Sequence, residues 1–110
     1  MSTIFKQEVN ILNCFQKMRS ELDYDECMMI YRRNLNLVED LHPSIFLKML
    51  QQVNNEQFVE MCSASNELRD VCSLNYFKNE IRRRGFNTFV EMEKYYEDEL
   101  LIKKMSKLRI

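Results

Sequence analysis

The chain has 110 residues, of which 45% are hydrophobic and only one each is glycine and proline. This length corresponds to one domain, and so few turn-forming residues exclude β-sandwiches and barrels and predict an all-α fold. The formal net charge of −1 gives no general attraction to nucleic acid or to an anionic membrane surface. No apolar run is long enough to span a membrane.

Hydrophobic spacing predicts three helices in the first half of the chain. The first covers residues 3–21, and its apolar face includes Phe15, Met18 and Leu22. A second helix over residues 25–41 would be capped by the acidic residues around Asp23. Pro43 suits the first turn of a third helix over residues 43–52.

The second half of the chain predicts four more helices. A short one covers residues 55–62, and the loop-like residues 63–66 follow it. Ser65 or Asn66 would then cap a long helix that ends at residue 84. Helices over residues 88–97 and 99–107 complete the chain.

The segment from Glu80 to Met92 predicts an abrupt joint between two helices. Arg82, Arg83 and Arg84 stand where the C-terminal end of a helix dipole favours cations, and Gly85 follows as a left-handed stop. The next helix would begin with a capping box formed by a threonine and a glutamate three residues later. One or two cations would serve the dipole, so the third arginine favours a surface that meets carboxylates on another molecule.

Charged residues form blocks of one sign. Acidic residues concentrate at 21–26 and 91–99, and basic residues at 82–84 and 103–109. Such blocks can give a molecule distinct positive and negative faces. The simpler interpretation is a solvated helix surface with weak pairs inside the chain.

The cysteines and the single histidine give no metal-binding pattern. No CxxC motif occurs among the four cysteines, which are Cys14, Cys27, Cys62 and Cys72. This excludes the usual zinc sites, and a disulfide framework is not expected. Apolar neighbours predict buried, reduced thiols. The first residues lack the basic and apolar regions of a signal peptide, so a cytoplasmic location is expected.

Catalytic sites are not indicated. His42 precedes a proline and has no obvious nucleophile as a partner, so a structural or capping role is predicted. A single glycine excludes phosphate-binding glycine loops. We therefore predict no enzymatic activity, no cofactor, no metal and no small-molecule substrate.

Residues from about 26 to 106 resemble a caspase-recruitment domain (CARD) of the death-fold superfamily. Residues 31–41 (YRRNLNLVEDL) resemble the family's first helix, and residues 81–89 (IRRRGFNTF) resemble the junction of its fourth and fifth helices. The resemblance implies a six-helix Greek-key bundle over residues 25–110, with an accessory N-terminal helix in residues 1–24. A different register, in which residues 3–21 form the first helix, stays open.

The resemblance implies a homotypic adaptor in cell-death or innate-immune signalling. In this family a basic patch on helices one and four meets an acidic patch on helices two and three of another domain. The partner would be a second death-fold protein or another copy of the chain. The implied partner-binding residues are basic at Arg32, Arg33, Arg82, Arg83 and Arg84, and acidic at Asp40, Glu56 and Glu60.

Two alternatives stay open. A helical regulator, viral or host, could hold a partner helix in an apolar groove that includes Phe15 and Met18. Nucleic-acid binding would require residues 82–84 and 103–109 to converge on one face, and the net charge does not favour it.

Overall fold

The computed structural model describes residues 10–97, and each regular element in that range is helical, which confirms the all-α class. The predicted helix over residues 99–107 and the first residues of the predicted helix 3–21 lie outside the described residues. The helices are α1 (residues 10–16), α2 (Glu21–Arg33), α3 (Leu35–Glu39), α4 (Pro43–Leu50), α5 (Asn55–Cys62), α6 (Asn66–Cys72), α7 (Lys78–Arg83) and α8 (residues 89–97), with one 3₁₀ turn at Asn75–Phe77. None of the helices in residues 10–97 has the length and apolar character needed to cross a membrane.

The chain forms two compact units, one within Met1–Asn54 and one within Asn55–Ile110. Each unit has its own set of buried apolar side chains. In the first unit these are Ile11, Phe15, Tyr24, Cys27, Met28, Tyr31, Val38, Leu41, Phe46, Met49, Leu50 and Val53; in the second they are Phe58, Val59, Met61, Cys62, Leu68, Cys72, Phe77, Ile81, Phe89 and Met92.

The start of α2 differs from the prediction. Ser20 is the N-cap, and its hydroxyl accepts the backbone N–H of Asp23 at 3.3 Å. The Asp23 carboxylate in turn accepts the backbone N–H of Arg19 at 2.9 Å. Asp23 therefore lies inside the first turn of the helix, and not before it, because the serine supplies the earlier cap.

Asn34 divides the predicted helix 25–41 into α2 and α3. Its side-chain amide donates to the carbonyl of Ile30 at 2.8 Å, which is the acceptor that its backbone N–H would have in a continuous helix. That N–H instead bonds the carbonyl of Tyr31, and the residue leaves helical geometry with φ −123° and ψ 34°.

The predicted long helix from residue 66 to residue 84 is also interrupted. Ser65 caps α6 as expected by accepting the backbone N–H of Leu68 at 3.2 Å. The helix ends at Cys72, where the Ser73 hydroxyl bonds the carbonyl of Arg69. Leu74 then takes an extended conformation before the 3₁₀ turn that leads into α7.

The four cysteines form two disulfides, so the prediction of reduced thiols was wrong. Cys14 bonds Cys27 with Cα atoms 5.7 Å apart, and Cys62 bonds Cys72 at 6.1 Å. Each pair joins neighbouring helices of one unit at a distance ordinary for a disulfide. The sequence did not show this because Cys14 and Cys27 meet only after the chain reverses between α1 and α2.

The apolar face of α1 lies in the core of the first unit. The Phe15 ring packs edge-on against Tyr24 and Tyr31, with ring centroids 6.4 and 6.0 Å away. It is 1% exposed, so it does not line the partner groove that the alternative prediction placed there. Leu22, expected on the same apolar face, is 75% exposed because it belongs to α2.

Candidate protein-interaction surface

The joint between α7 and α8 has the predicted geometry. Gly85 has φ +97°, its N–H bonds the carbonyl of Arg82 at 3.0 Å, and the N–H of Phe86 reaches the carbonyl of Ile81 at 3.2 Å. These two bonds form a Schellman motif, which requires the left-handed conformation that glycine adopts without strain.

Helix α8 begins at the predicted cap. The Thr88 hydroxyl accepts the backbone N–H of Glu91 at 3.1 Å. The Glu91 carboxylate reaches back to the backbone N–H of Asn87, one residue earlier than in the usual capping box. The two caps leave little freedom in the turn, so the end of α7 is held in a fixed place.

Two of the three arginines are paired inside the chain. Glu80 is a buried carboxylate, and it accepts hydrogen bonds from Arg83 and from Arg84, the latter at 2.7 Å. The Arg84 side chain is 7% exposed, donates to the Asn55 side chain at 3.0 Å and lies 4.9 Å from the centre of the Phe58 ring. Arg84 is thus a buried structural residue, not an open contact for a partner.

The protonation of Glu80 reflects two opposing causes. Burial alone raises the pKa of its carboxyl group, because the charged form loses water. Hydrogen bonds and positive charge from Arg83 and Arg84 outweigh burial, so the pKa lies below its ordinary value. The carboxylate is therefore ionised at neutral pH and holds both guanidinium groups.

Arg82 points away from this cluster. It is exposed, and within residues 10–97 no acidic side chain forms an ion pair with it. Arg83 combines both roles, since its side chain bonds Glu80 but keeps 66% of its surface exposed. Arg82 and the outer edge of Arg83 therefore form the cationic surface available at this corner.

The other predicted partner-binding residues are distributed over both units. In the first unit, Arg32 and Arg33 are exposed in the last turn of α2, and Asp40 is exposed at the end of α3. In the second unit, Glu56 and Glu60 are half-buried on α5. Whether any of these residues binds a partner stays a prediction.

A second ion pair fixes α8 against α6. Glu93 accepts a hydrogen bond from Arg69 at 2.8 Å and one from the Ser63 hydroxyl at 2.8 Å. The pair raises the pKa of the Arg69 guanidinium further, mainly through the hydrogen bond to Glu93. Part of the acidic block at residues 91–99 is thereby used inside the chain.

Sequence reasoning missed a surface groove in the second unit. It has a volume of about 330 Å³ and lies between the segment around Leu74, α7 and the start of α8. Leu74 and Val90 line it and are 50% and 63% exposed. The adjacent apolar residues Phe89 and Val90 were the available signal, because neighbouring helix positions point in different directions.

Residues 10–97 contain no metal-binding cluster, and His42 has a structural position. No group of three or more histidine, cysteine or acidic side chains in that range could hold a metal ion. His42 has the predicted capping role, since its Nδ1 accepts the backbone N–H of Ser44 at 3.1 Å and also bonds the Ser44 hydroxyl. Of the two basic blocks invoked for nucleic-acid binding, residues 103–109 lie outside the described part of the chain.

Comparisons with protein-family models, with curated proteins and with solved structures give no match to this chain.

Proposed function

We propose that this chain is a protein-interaction module that associates homotypically, with a basic face on one copy meeting an acidic face on another, as in CARD adaptors. The proposal rests on one observation, the difference in burial among the charged side chains at the end of α7. Arg84 and Glu80 are buried and bonded, while Arg82 and most of Arg83 are exposed on the same short helix. A rigid base with outward guanidinium groups suits oriented binding of carboxylates.

Acidic surface is also available. Glu21, Asp25 and Glu26 are exposed on α2, and Asp40 is exposed after α3. Opposed charges of this kind set partner choice and the rate of encounter more than final affinity. They support association between copies of the chain or with a related helical protein.

The finer parts of the proposal rest on the resemblance. Short, tightly connected helices from α2 to α8 are compatible with a death fold, but they number seven and α2 begins at Glu21, so the six-helix fold from residue 25 onward also rests on the resemblance. A role in cell-death or innate-immune signalling rests on the resemblance alone. The two disulfides do not support the predicted cytoplasmic location, because such bonds persist mainly in oxidising compartments.

Charge reversal at the corner tests the proposal. We expect Arg82→Glu to weaken self-association by about tenfold or more, which corresponds to about 1.4 kcal/mol, while the melting temperature falls only slightly because the last turn of α7 loses a cation. Sedimentation velocity over a concentration series of the wild-type chain and the variant measures this. Lys94→Glu, the same charge change at an exposed position of α8, serves as the control and should associate like the wild type.

Arg83→Glu should weaken association as well, but it also places a second carboxylate beside Glu80, so its melting temperature should fall. Arg82→Glu is therefore the cleaner variant. If it associates as tightly as the wild type does, the basic corner is not the contact.

A further inference from the structure

The groove of the second unit combines an apolar floor with positive charge. Its lining includes two buried side chains, Ile81 and Phe89, and two exposed ones, Leu74 and Val90. Lys78 is the one charged residue among the described residues that line it. Arg82 follows Lys78 by four positions on α7 and so lies on the same face of that helix.

Helix α2 carries a complementary surface. Its inner side, with Tyr24, Cys27, Met28 and Tyr31, is buried in the first unit. On the opposite side Leu22 and Met29 are 75% and 54% exposed, and Asp25 and Glu26 are exposed between them. We call these four residues the outer face of α2. It presents apolar and acidic side chains on one side of a helix of about 20 Å.

We infer that the outer face of α2 in one copy of the chain docks in the groove of the second unit of another copy. The inference rests on the proposed homotypic association and names its two surfaces. Leu22 and Met29 supply the apolar side chains that cover Leu74 and Val90, and Asp25 and Glu26 supply the carboxylates for Lys78 and Arg82. This is the helix-in-groove mode of recognition, with apolar anchors about two turns apart.

Charge and shape favour a second copy over a lipid surface. The outer face of α2 is acidic and would be repelled by anionic lipid headgroups. The groove is concave, so its apolar residues are suited to receive side chains and not to insert into a bilayer. Two exposed apolar surfaces of opposite charge on one chain are instead suited to cover each other.

The two surfaces differ, so the contact is head-to-tail. Each copy offers one outer face and one groove, and addition of further copies gives a ring if the rotation closes and a filament if it does not. This property separates the inferred contact from a symmetric dimer, in which both copies use the same patch.

A complementation experiment uses that difference. Val90→Asp places a carboxylate in the groove and leaves the outer face of α2 unchanged. Leu22→Asp places a carboxylate on the outer face and leaves the groove unchanged. Both positions are exposed and lie in the first turn of their helices, where an acidic side chain is favourable, although at position 22 repulsion from Asp25 and Glu26 offsets this gain. Both variants should therefore remain folded, with melting temperatures close to that of the wild type. Tyr95→Asp, at a 61% exposed position of α8 outside the groove lining, is the control for an added carboxylate, and its melting temperature is measured as well because the Tyr95 ring contacts Phe86 and Tyr96.

We expect each of Val90→Asp and Leu22→Asp alone to lose self-association by about tenfold or more. An equimolar mixture of the two should form a pair that does not grow, because it retains one intact groove and one intact outer face. Size-exclusion chromatography with light scattering distinguishes the monomer, the pair and larger species. The Tyr95→Asp control should assemble like the wild type.

Three outcomes overturn the inference. If both variants assemble like the wild type while Arg82→Glu does not, the proposed function stands and these surfaces are not its contact. If the single variants are monomeric and the mixture is monomeric too, the two surfaces do not bind each other. If the wild-type chain itself stays monomeric at all concentrations, homotypic docking is excluded, and the proposed function then requires a different protein as partner.

Discussion

The buried carboxylate of Glu80 bonds two neighbouring arginines, Arg83 and Arg84, which differ in how exposed they are. Arg84 lies one turn after Glu80 and is oriented inward, where Asn55 and Phe58 complete its surroundings. Arg83 reaches the same carboxylate from the surface. Arg82 is on another side of the helix and remains exposed. The cluster of three positive charges in the sequence is thus one buried residue, one shared residue and one outward residue.

Arg84→Ala should be the most damaging single change at this corner. It removes a buried cation, leaves Glu80 with Arg83 as its one remaining cationic partner in the cluster, and exposes the Phe58 ring. We expect a loss of about 2–4 kcal/mol in the free energy of unfolding. Urea denaturation followed by circular dichroism measures it. Arg82→Ala is the control and should stay within about 0.5 kcal/mol of the wild type, and equal stability of the two variants would contradict the structural role of Arg84.

The pKa of Glu80 predicts a loss of stability in acid. Because folding lowers this pKa below the ordinary value of 4.5, the contribution of the carboxylate is present at pH values above 4.5 and is lost as the pH falls through the folded value. Glu80→Gln lacks this titration. We therefore expect the difference in unfolding free energy between the wild type and Glu80→Gln to shrink in acid, as measured by urea denaturation along a pH series. A difference that is constant with pH would contradict the assignment.

At the scale of helices, the sequence predicted most of the elements but not two of the interruptions. Helix α4 and the start of α8 lie where capping residues placed them, because Pro43 and Thr88 are local signals, and α5 covers the predicted residues 55–62. The turn at Gly85 was predictable for the same reason. Local chemistry was sufficient there.

The interruptions at Asn34 and at Ser73 have a common cause that hydrophobic spacing does not report. In both cases a polar side chain bonds the carbonyl four residues earlier and competes with the backbone N–H for it. The apolar residues continue at helical spacing through both breaks, so a count of hydrophobic positions joined α2 to α3 and α6 to α7. The second interruption also helps to form the groove, because Leu74 leaves the helix there and lines it.

The candidate site was predictable in composition but not in orientation. The sequence located the arginines at a helix end, and the caps confirmed that position. It could not show which guanidinium groups face inward, because that depends on Asn55 and Phe58, which are 25 or more positions away along the chain. Contacts between distant parts of the sequence decide burial, and a single sequence carries little record of them.

At the scale of the molecule, each of the two units is small and has one disulfide. Units of fewer than about 60 residues bury a limited apolar area, and small folds often depend on cross-links in addition to their cores. Cys14–Cys27 and Cys62–Cys72 each tie two consecutive helices within a unit. The bonds therefore stabilise the helix pairs on which the cores are built.

Removal of either disulfide should destabilise the unit that contains it. For loops of 13 and 10 residues we expect a loss of about 3 kcal/mol from Cys14→Ser with Cys27→Ser, and a similar loss from Cys62→Ser with Cys72→Ser. Thermal unfolding of the paired variants measures this. Alkylation of the denatured, unreduced chain provides the direct check by mass spectrometry: no cysteine should react before reduction and four should react after it. Labelling without reduction would contradict the paired state.

The short spans of the two disulfides also bear on how the native pairing is reached. Four cysteines allow three pairings, and both alternatives would close loops several times longer than the 13- and 10-residue spans observed. Closing a short loop costs less chain entropy. Cys27 also leaves the ribosome long before Cys62, so oxidation in the order of synthesis would select the native partners by proximity, and the chain would have little need of an isomerase to correct them.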